Sequence, residues 1–186
     1  KADLQVHSTW SDGKLTMLAG TVATPSIMAA SGFMKIPDNG VDTFAMEGIA
    51  DHPYDIANMR LAYGRREPGP QVWFWRSVGH SQNIFFIESF VDELAAAAKA
   101  DPYEFRRAML GKQPRYKGVL ELAAQKAGWG QPLPAGVFRG IAQMKAFDSF
   151  VAAACEISVK DGTKVKVHRI VAATDCGYAV NSAQIE

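Results

Sequence analysis

The spacing of apolar residues predicts a long amphipathic helix in the middle of the chain. Between Ser81 and Lys99, apolar side chains return at the helical period, at Ile84, Ile87, Val91, Leu94 and Ala98. Phe86 and Phe90 lie outside this stripe, so a second face of the helix is expected to be covered as well. The pattern therefore predicts a helix that is buried on more than one side.

Two shorter helices are predicted after it from the residue types that mark helix ends. The first begins with an N-cap, a proline at the first helical position and a glutamate three residues after the cap, namely Asp101, Pro102 and Glu104. It ends near Gly111. The second runs from about residue 116 to residue 127 and stops at Gly128, a residue type typical of left-handed C-caps.

Strand-like segments lie on both sides of these helices. Apolar residues alternate around Asp12-Gly13 and around Asp161-Gly162, and this pattern predicts a β-hairpin because both turn positions need positive φ. The aromatic run "PQVWFW" (70–75) predicts a short buried strand, and "VDTFAMEGIAD" (41–51) predicts another. Strands and helices do not alternate regularly, which argues against a doubly wound parallel sheet. We therefore predict an α+β fold in which antiparallel β-hairpins pack against about three helices.

Length and composition are those of a soluble globular protein large enough to form a hydrophobic core. The chain has 186 residues, of which 48% are hydrophobic and 21% are charged. A net charge of +1 gives no electrostatic reason to expect nucleic acid as a partner. No apolar run approaches the roughly 20 residues that a membrane-spanning helix needs.

The cysteines and histidines do not have the spacing of a metal site. Cys155 and Cys176 lie in strand-like segments without a CxxC pair, and we expect both to be buried free thiols. His7, His52 and His168 are far apart in the sequence, which favours surface or hydrogen-bonded side chains over metal ligands.

Residues Arg76 to Ser81, between the aromatic run and the long helix, form a segment that we call the joint. A helix N-terminus carries unpaired N–H groups and partial positive charge, and so can hold an anion or a polar cofactor. Gly79 would let a ligand approach the backbone, and the planar guanidinium of Arg76 suits a phosphate, a carboxylate or an oxo group. The open alternative is that Ser77 or Ser81 only caps the helix while Arg76 pairs with an acid.

Two other sets of polar residues have weaker support as reactive sites. His80 beside Ser77 or Ser81 would make a nucleophile–base pair, but no Gly-x-Ser-x-Gly elbow and no orienting carboxylate accompany it. Glu88 and Asp92, one helical turn apart, are either paired carboxylates or solvated and salt-bridged helix residues. A hydrolase is therefore disfavoured.

Four collinear stretches that cover nearly the whole chain carry a family resemblance. They read "WFWRSVGHSQNIFFIESFVDELA", "ADPYEFRRAML", "GVLELAAQKAGWGQPLPAGVFRGIA" and "VHRIVAATDCGYAVN". The sequence resembles the molybdopterin-binding large (beta) subunit of bacterial isoquinoline 1-oxidoreductases and of related membrane-associated aldehyde dehydrogenases. Both belong to the wider xanthine oxidase/aldehyde oxidase family, whose molybdopterin-binding domain is the fold that the resemblance implies.

The resemblance implies that the joint lies against a molybdenum cofactor. In the wider family the equivalent segment reads Arg-Gly-Phe-Gly followed by Pro-Gln at a helix start. Carried over to this sequence, the cofactor-binding residues are Arg76, Ser77, Val78, Gly79 and Gln82. Ser and Val replace the family's Gly and Phe, which fits the isoquinoline-type branch better than the xanthine oxidases.

The segment from residue 144 to residue 149 is expected to face the substrate through Met144, Phe147 and Ser149. No metal ligand and no catalytic residue is assigned, because the family's metal is held by the pterin dithiolene and its catalytic glutamate stands in a Gly-Glu motif that this sequence lacks.

For the parent protein the resemblance implies a molybdenum hydroxylase that oxidises N-heteroaromatic compounds or aldehydes. Its cofactor would be molybdopterin, in the cytosine dinucleotide form. Electrons would pass to [2Fe–2S] clusters on a small partner subunit and on to a cytochrome. A bacterial protein in the periplasm or at the membrane is favoured over a cytoplasmic one.

The family's Gly-Gly-Phe-Gly loop is also missing from the sequence, so we expect an internal fragment of a molybdopterin-binding domain that is inactive alone. Residues 1–75 are expected to be β-rich with irregular loops, residues 76–130 helical and residues 137–186 a β-hairpin. A non-catalytic α+β module that binds an anion or a partner is the alternative.

Overall fold

The computed structural model describes residues 3–11, 14–67 and 69–185, and the side chains among them from residue 18 onward. The chain divides into two compact units, Lys1–Ala98 and Lys99–Glu186. Each unit contains one three-stranded sheet together with helices, so the predicted α+β class is confirmed.

The first unit contains strands β1 (Asp3–Ser11), β2 (Lys14–Thr24) and β3 (Met59–Arg65) and helices α1 (Ile27–Ser31), α2 (Thr43–Met46) and α3 (His80–Ala97). β1 and β2 pair antiparallel with Ser11 opposite Lys14, as expected for a hairpin, while the predicted Asp12-Gly13 turn itself lies outside the described residues. β3 pairs with β2 in parallel, with Leu18 opposite Met59. The expectation of antiparallel pairing throughout is therefore wrong for this sheet.

Strand β2 and the segment after α2 form the centre of the first unit's core. Val22, Met46 and Ile49 are almost fully buried in one cluster, against which the half-buried Leu61 and Tyr63 of β3 pack. Burying such side chains contributes roughly 1.5–3 kcal/mol each.

The long helix α3 begins and ends within two residues of its predicted limits. Its apolar stripe is buried as expected at Ile87, Val91 and Leu94. Phe86 and Phe90 are half-buried, so the second face is covered only in part.

Two predicted strands of the first unit are wrong. Residues 41–51 contain α2, which begins at the N-cap Asp42, followed by turns. Residues 71–75, all within the described chain, form no strand, and Trp73 and Trp75 are 53% and 80% exposed. A strand needs a neighbouring strand for its backbone hydrogen bonds, and this aromatic run instead makes edge-to-face ring contacts.

The second unit contains helices α4 (Pro102–Ala108) and α5 (Pro114–Ala127), strands β4 (Val137–Ala146), β5 (Ser149–Lys160) and β6 (Lys164–Asp175), and a 3₁₀ turn at Ser182–Gln184. The sheet is antiparallel in the order β4-β5-β6, and α5 packs against all three strands. The Asp161-Gly162 hairpin is confirmed, because both residues have positive φ between β5 and β6.

The predicted helix ends of the second unit are also confirmed. The Asp101 carboxylate accepts hydrogen bonds from the backbone N–H groups of Tyr103 and Glu104 at the start of α4. Gly128 ends α5 with φ of 68°, in the left-handed region that favours glycine.

Cys155 and Cys176 are free thiols and are half-buried. Within the described ranges, histidine, cysteine and carboxylate side chains do not gather in threes as a metal site would require. Among the helices that the structure describes, none has the length and apolar character to cross a bilayer.

Candidate functional site

The joint has an uncommon backbone conformation just before α3. Ser77 and Val78 are both left-handed, with φ of 71° and 46°. Such values are uncommon for residues other than glycine and most costly for a β-branched side chain such as valine. The segment is closed by hydrogen bonds from Val78 N–H to Trp75 O and from His80 N–H to Ser77 O. Strained backbone of this kind persists only where surrounding structure holds it, and it is frequent at ligand sites.

The protein's own Glu47 occupies the N-terminus of α3. Gly79 is the N-cap, and neither predicted serine caps the helix with its side chain. The Ser81 hydroxyl instead donates to Arg76 O at 3.0 Å. The Gly79 N–H donates to the Glu47 carboxylate, which therefore supplies the negative charge that a helix N-terminus favours.

Gly79 makes room for the chain itself. A Cβ at this position would lie 2.1 Å from the Phe44 carbonyl oxygen and 3.2 Å from the Glu47 Cβ. The space that we expected a ligand to use at this glycine is thus filled by the residues that end α2.

A buried polar cluster ties the end of α2 to the start of α3. Asn83, fully buried, donates from Nδ2 to Ala45 O at 2.9 Å and to Glu47 O at 2.8 Å. His80 Nδ1 lies 3.5 Å from Glu47 Oε2. Burial raises the pKa of Glu47, and the nearby His80 and the Gly79 N–H oppose that rise. His80 therefore faces a carboxylate, which removes the basis for a serine–histidine pair.

The joint borders a cavity of about 320 Å³ in the first unit, which we call the joint cavity. Three of the five predicted cofactor-binding residues line it: Val78, Gly79 and Gln82. Its other walls include the aromatic rings of Phe44, Trp73 and Trp75 and the polar Thr24. The volume is at the lower end of the roughly 300–1,000 Å³ typical of small-molecule sites.

Arg76 and Ser77 do not line this cavity. Arg76 is exposed, and no acid among residues 18–67 and 69–185 pairs with it, so the alternative in which it merely forms an ion pair is wrong. Its guanidinium is available to a phosphate or carboxylate.

The joint cavity fits the planar part of a pterin cofactor better than a phosphate group. Stacking against Trp73 and Trp75 suits a flat ring, and the Gln82 amide offers both a donor and an acceptor to its polar edge. The backbone N–H groups of residues 78–81, by contrast, already have acceptors in Trp75, Glu47, Ser77 and Val78. A phosphate at this helix end would have to displace those bonds.

The carboxylates Glu88 and Asp92 do not form a pair. Glu88 is 5% exposed and accepts a hydrogen bond from the Tyr54 hydroxyl, while Asp92 is exposed on the other side of α3. The paired-carboxylate interpretation is therefore not supported.

The three predicted substrate residues lie together at one hairpin of the second unit. Met144 is half-buried on β4, Ser149 begins β5, and Phe147 is 76% exposed in the two-residue loop between them. Phe147 and Asp148 have φ of 50° and 59°, as a tight hairpin loop requires. Their role toward a substrate stays a prediction.

Sequence analysis missed Glu47, Asn83 and the walls of the joint cavity. Asp42 before Thr43 was a usable N-cap signal for α2, and it would have placed Glu47 at a helix end. Nothing in the sequence links Glu47 to Gly79, because their contact depends on how α2 and α3 pack.

Comparison with known proteins points to one family. Residues 9–110 match the family described as molybdopterin cofactor-binding domain. Similar proteins are a component of the nicotinate dehydrogenase of Pseudomonas putida (32% identical over 126 residues, 59% of this chain and 10% of the relative) and the beta subunit of the isoquinoline 1-oxidoreductase of Brevundimonas diminuta (28% over 128 residues, 67% and 16%). A third is the membrane-bound aldehyde dehydrogenase [pyrroloquinoline-quinone] of Gluconacetobacter polyoxogenes (29% over 138 residues, 63% and 18%). The chain thus spans between a tenth and a fifth of each relative's length.

Proposed function

The chain belongs to the molybdopterin cofactor-binding domain family, and from that membership we propose that the joint cavity holds the pterin part of a molybdopterin cofactor. The observation that carries the proposal is the cavity of about 320 Å³ bounded by Val78, Gly79 and Gln82. These are positions at which the resemblance to the family implied cofactor contact.

Each part of the site has a distinct task in this proposal. Trp73 and Trp75 stack on the flat ring and keep water from its faces, while the Gln82 amide orients its polar edge. Arg76, exposed beside the cavity, binds an anionic group of the cofactor or of the substrate. When bound, the cofactor supplies a molybdenum centre capable of two-electron oxidation.

For the full-length protein we propose a role as the cofactor-binding part of a molybdenum-dependent oxidoreductase, with a fold of the aldehyde oxidase/xanthine dehydrogenase type. The names of the relatives, which specify nicotinate, isoquinoline and aldehyde, support an N-heteroaromatic compound or an aldehyde as substrate. Met144, Phe147 and Ser149 are proposed to contact it.

The remaining features are proposed by family resemblance. The cofactor is the cytosine dinucleotide form, and a small subunit with [2Fe–2S] clusters accepts the electrons and passes them to a cytochrome. The protein is exported to the periplasm or held at the membrane. The 186-residue chain alone is inactive.

The test is to purify the full-length polypeptide and measure its molybdenum by inductively coupled plasma mass spectrometry and its organic cofactor by liquid chromatography–mass spectrometry. We expect stoichiometric molybdenum and a pterin. Gln82→Leu should lower the molybdenum content severalfold, because a hydrogen bond to the ring is worth about 0.5–1.5 kcal/mol. Gln125→Leu, exposed on α5, is the matched control and should leave it unchanged.

Two results would contradict the proposal. A functional protein without molybdenum or pterin would favour the non-catalytic binding module. A quinone in place of the pterin would match the cofactor in the name of the third relative instead.

A further inference from the structure

Glu47 is the one acidic side chain in the described first unit that is in direct contact with the joint backbone. Its carboxylate accepts the Gly79 N–H, and its Oε2 lies 3.5 Å from His80 Nδ1. Its main-chain oxygen accepts from Asn83 Nδ2 at 2.8 Å, so the residue is anchored at two points. Glu47 therefore contacts three residues at the start of α3 at once.

The backbone that Glu47 holds is the backbone that lines the joint cavity. Gly79 directly follows the left-handed residues Ser77 and Val78, and both Val78 and Gly79 line the cavity. Two consecutive left-handed residues cost roughly 1–2 kcal/mol each relative to a relaxed chain. They need an external restraint at the next peptide, and the Glu47 carboxylate provides it by a charge-assisted hydrogen bond.

We propose that Glu47 is a positioning residue for the cofactor: by binding the Gly79 amide, it fixes Val78 and Gly79 in the conformation that shapes the joint cavity. The inference rests on the proposed function of that cavity. Glu47 is not among the residues that line the cavity and acts through the backbone only.

The environment of Glu47 makes this restraint sensitive to pH. The charged groups around it are His80 on α3, Asp51 in the turn after α2 and Asp42 at the N-cap of α2. Oε2 has no hydrogen-bond partner among the described residues, and burial raises the pKa of Glu47 above its usual value. Protonation replaces a charge-assisted bond to Gly79 by a weaker neutral one, so cofactor retention should fall as the pH drops through that pKa.

The experiment uses the full-length polypeptide purified with its cofactor, and compares wild type with Glu47→Gln and Glu47→Ala. The readout is molybdenum retained per polypeptide after dialysis at a series of pH values between about 8 and 5, together with hydrogen exchange of the peptide spanning residues 76–84. Glu93→Gln, exposed on the same helix, is the control.

We expect Glu47→Ala to retain molybdenum on the order of tenfold less tightly, the factor that corresponds to loss of a hydrogen bond to a charged group. Glu47→Gln keeps an acceptor oxygen without the charge. It should fold, retain an intermediate amount, and lack the decline of the wild type toward low pH. Exchange at residues 76–84 should be faster in both variants and unchanged in Glu93→Gln.

The outcomes separate this inference from the proposed function. If the wild type carries no molybdenum, the proposed function fails. If the wild type carries molybdenum and Glu47→Gln follows the same pH course with the same exchange at residues 76–84, the positioning role is wrong while the cofactor site stands.

Discussion

Replacing Gly79 by alanine tests the packing of α2 against the start of α3. The backbone at Gly79 has φ of −64° and ψ of −26°, which alanine adopts without strain, so the conformational effect alone would favour alanine by roughly 0.5–1 kcal/mol. The new Cβ, however, would lie 2.1 Å from the Phe44 carbonyl oxygen, whereas ordinary contact begins at 3.4 Å. The carbonyl or the helix must therefore move by the difference, 1.3 Å.

That movement is costly because Phe44 is held in place. Its N–H donates to the Asp42 carboxylate at 2.9 Å, and a shift of its carbonyl also strains the bond between Glu47 and Gly79. Overpacking of this kind costs about 1–3 kcal/mol. After subtraction of the conformational gain, Gly79→Ala should lower the free energy of unfolding by about 2 kcal/mol.

Gly118→Ala is the matched control. Gly118 is an exposed residue inside α5, and a Cβ there would meet nothing within 4 Å. The substitution should raise the free energy of unfolding by about 0.5–1 kcal/mol. Urea denaturation followed by circular dichroism measures both variants, and hydrogen exchange of residues 43–48 and 76–84 localises the effect. A Gly79→Ala protein as stable as the wild type, alongside a stabilised Gly118→Ala, would refute the packing argument.

Three further predictions concern single side chains. Asp42→Asn should lower the free energy of unfolding by roughly 2–4 kcal/mol in urea denaturation, because the carboxylate accepts four hydrogen bonds, two on each oxygen, and an amide can accept at only one. Ser77→Gly, at φ of 71°, should raise it by about 0.5–1 kcal/mol, and an unchanged or lower value would contradict the left-handed conformation. The bidentate Arg115 guanidinium lowers the pKa of Asp175 to about 2, so the stability that this pair contributes is present above the ordinary value of 3.8 and is lost as the pH falls toward 2; carboxyl NMR should show that pKa and its return toward 3.8 in Arg115→Gln.

The elements that could be predicted from sequence are those whose signals are local. Helix α3 follows from a periodic apolar stripe, and α4 and α5 follow from Asp101, Pro102 and Gly128, each of which acts on its own helix end. The Asp161-Gly162 hairpin is local in the same sense.

What sequence analysis missed depends on contacts between distant segments. The aromatic run at residues 71–75 has the composition of a strand but finds no neighbouring strand in the described structure, whereas β3 pairs with β2 despite a weaker pattern. Gly79 was interpreted as room for a ligand because its neighbour, the Phe44 carbonyl, lies far away in the sequence. For the same reason the role of Glu47 at the N-terminus of α3 could not be predicted.

The location of the cofactor relative to the joint tests the central claim most directly. Anomalous diffraction at the molybdenum edge from crystals of the full-length protein would place the metal, and the electron density would place the pterin. The account predicts pterin density between the aromatic walls and Gln82, in contact with Val78 and Gly79. Pterin bound at another place, with the joint cavity closed by protein side chains, would contradict it.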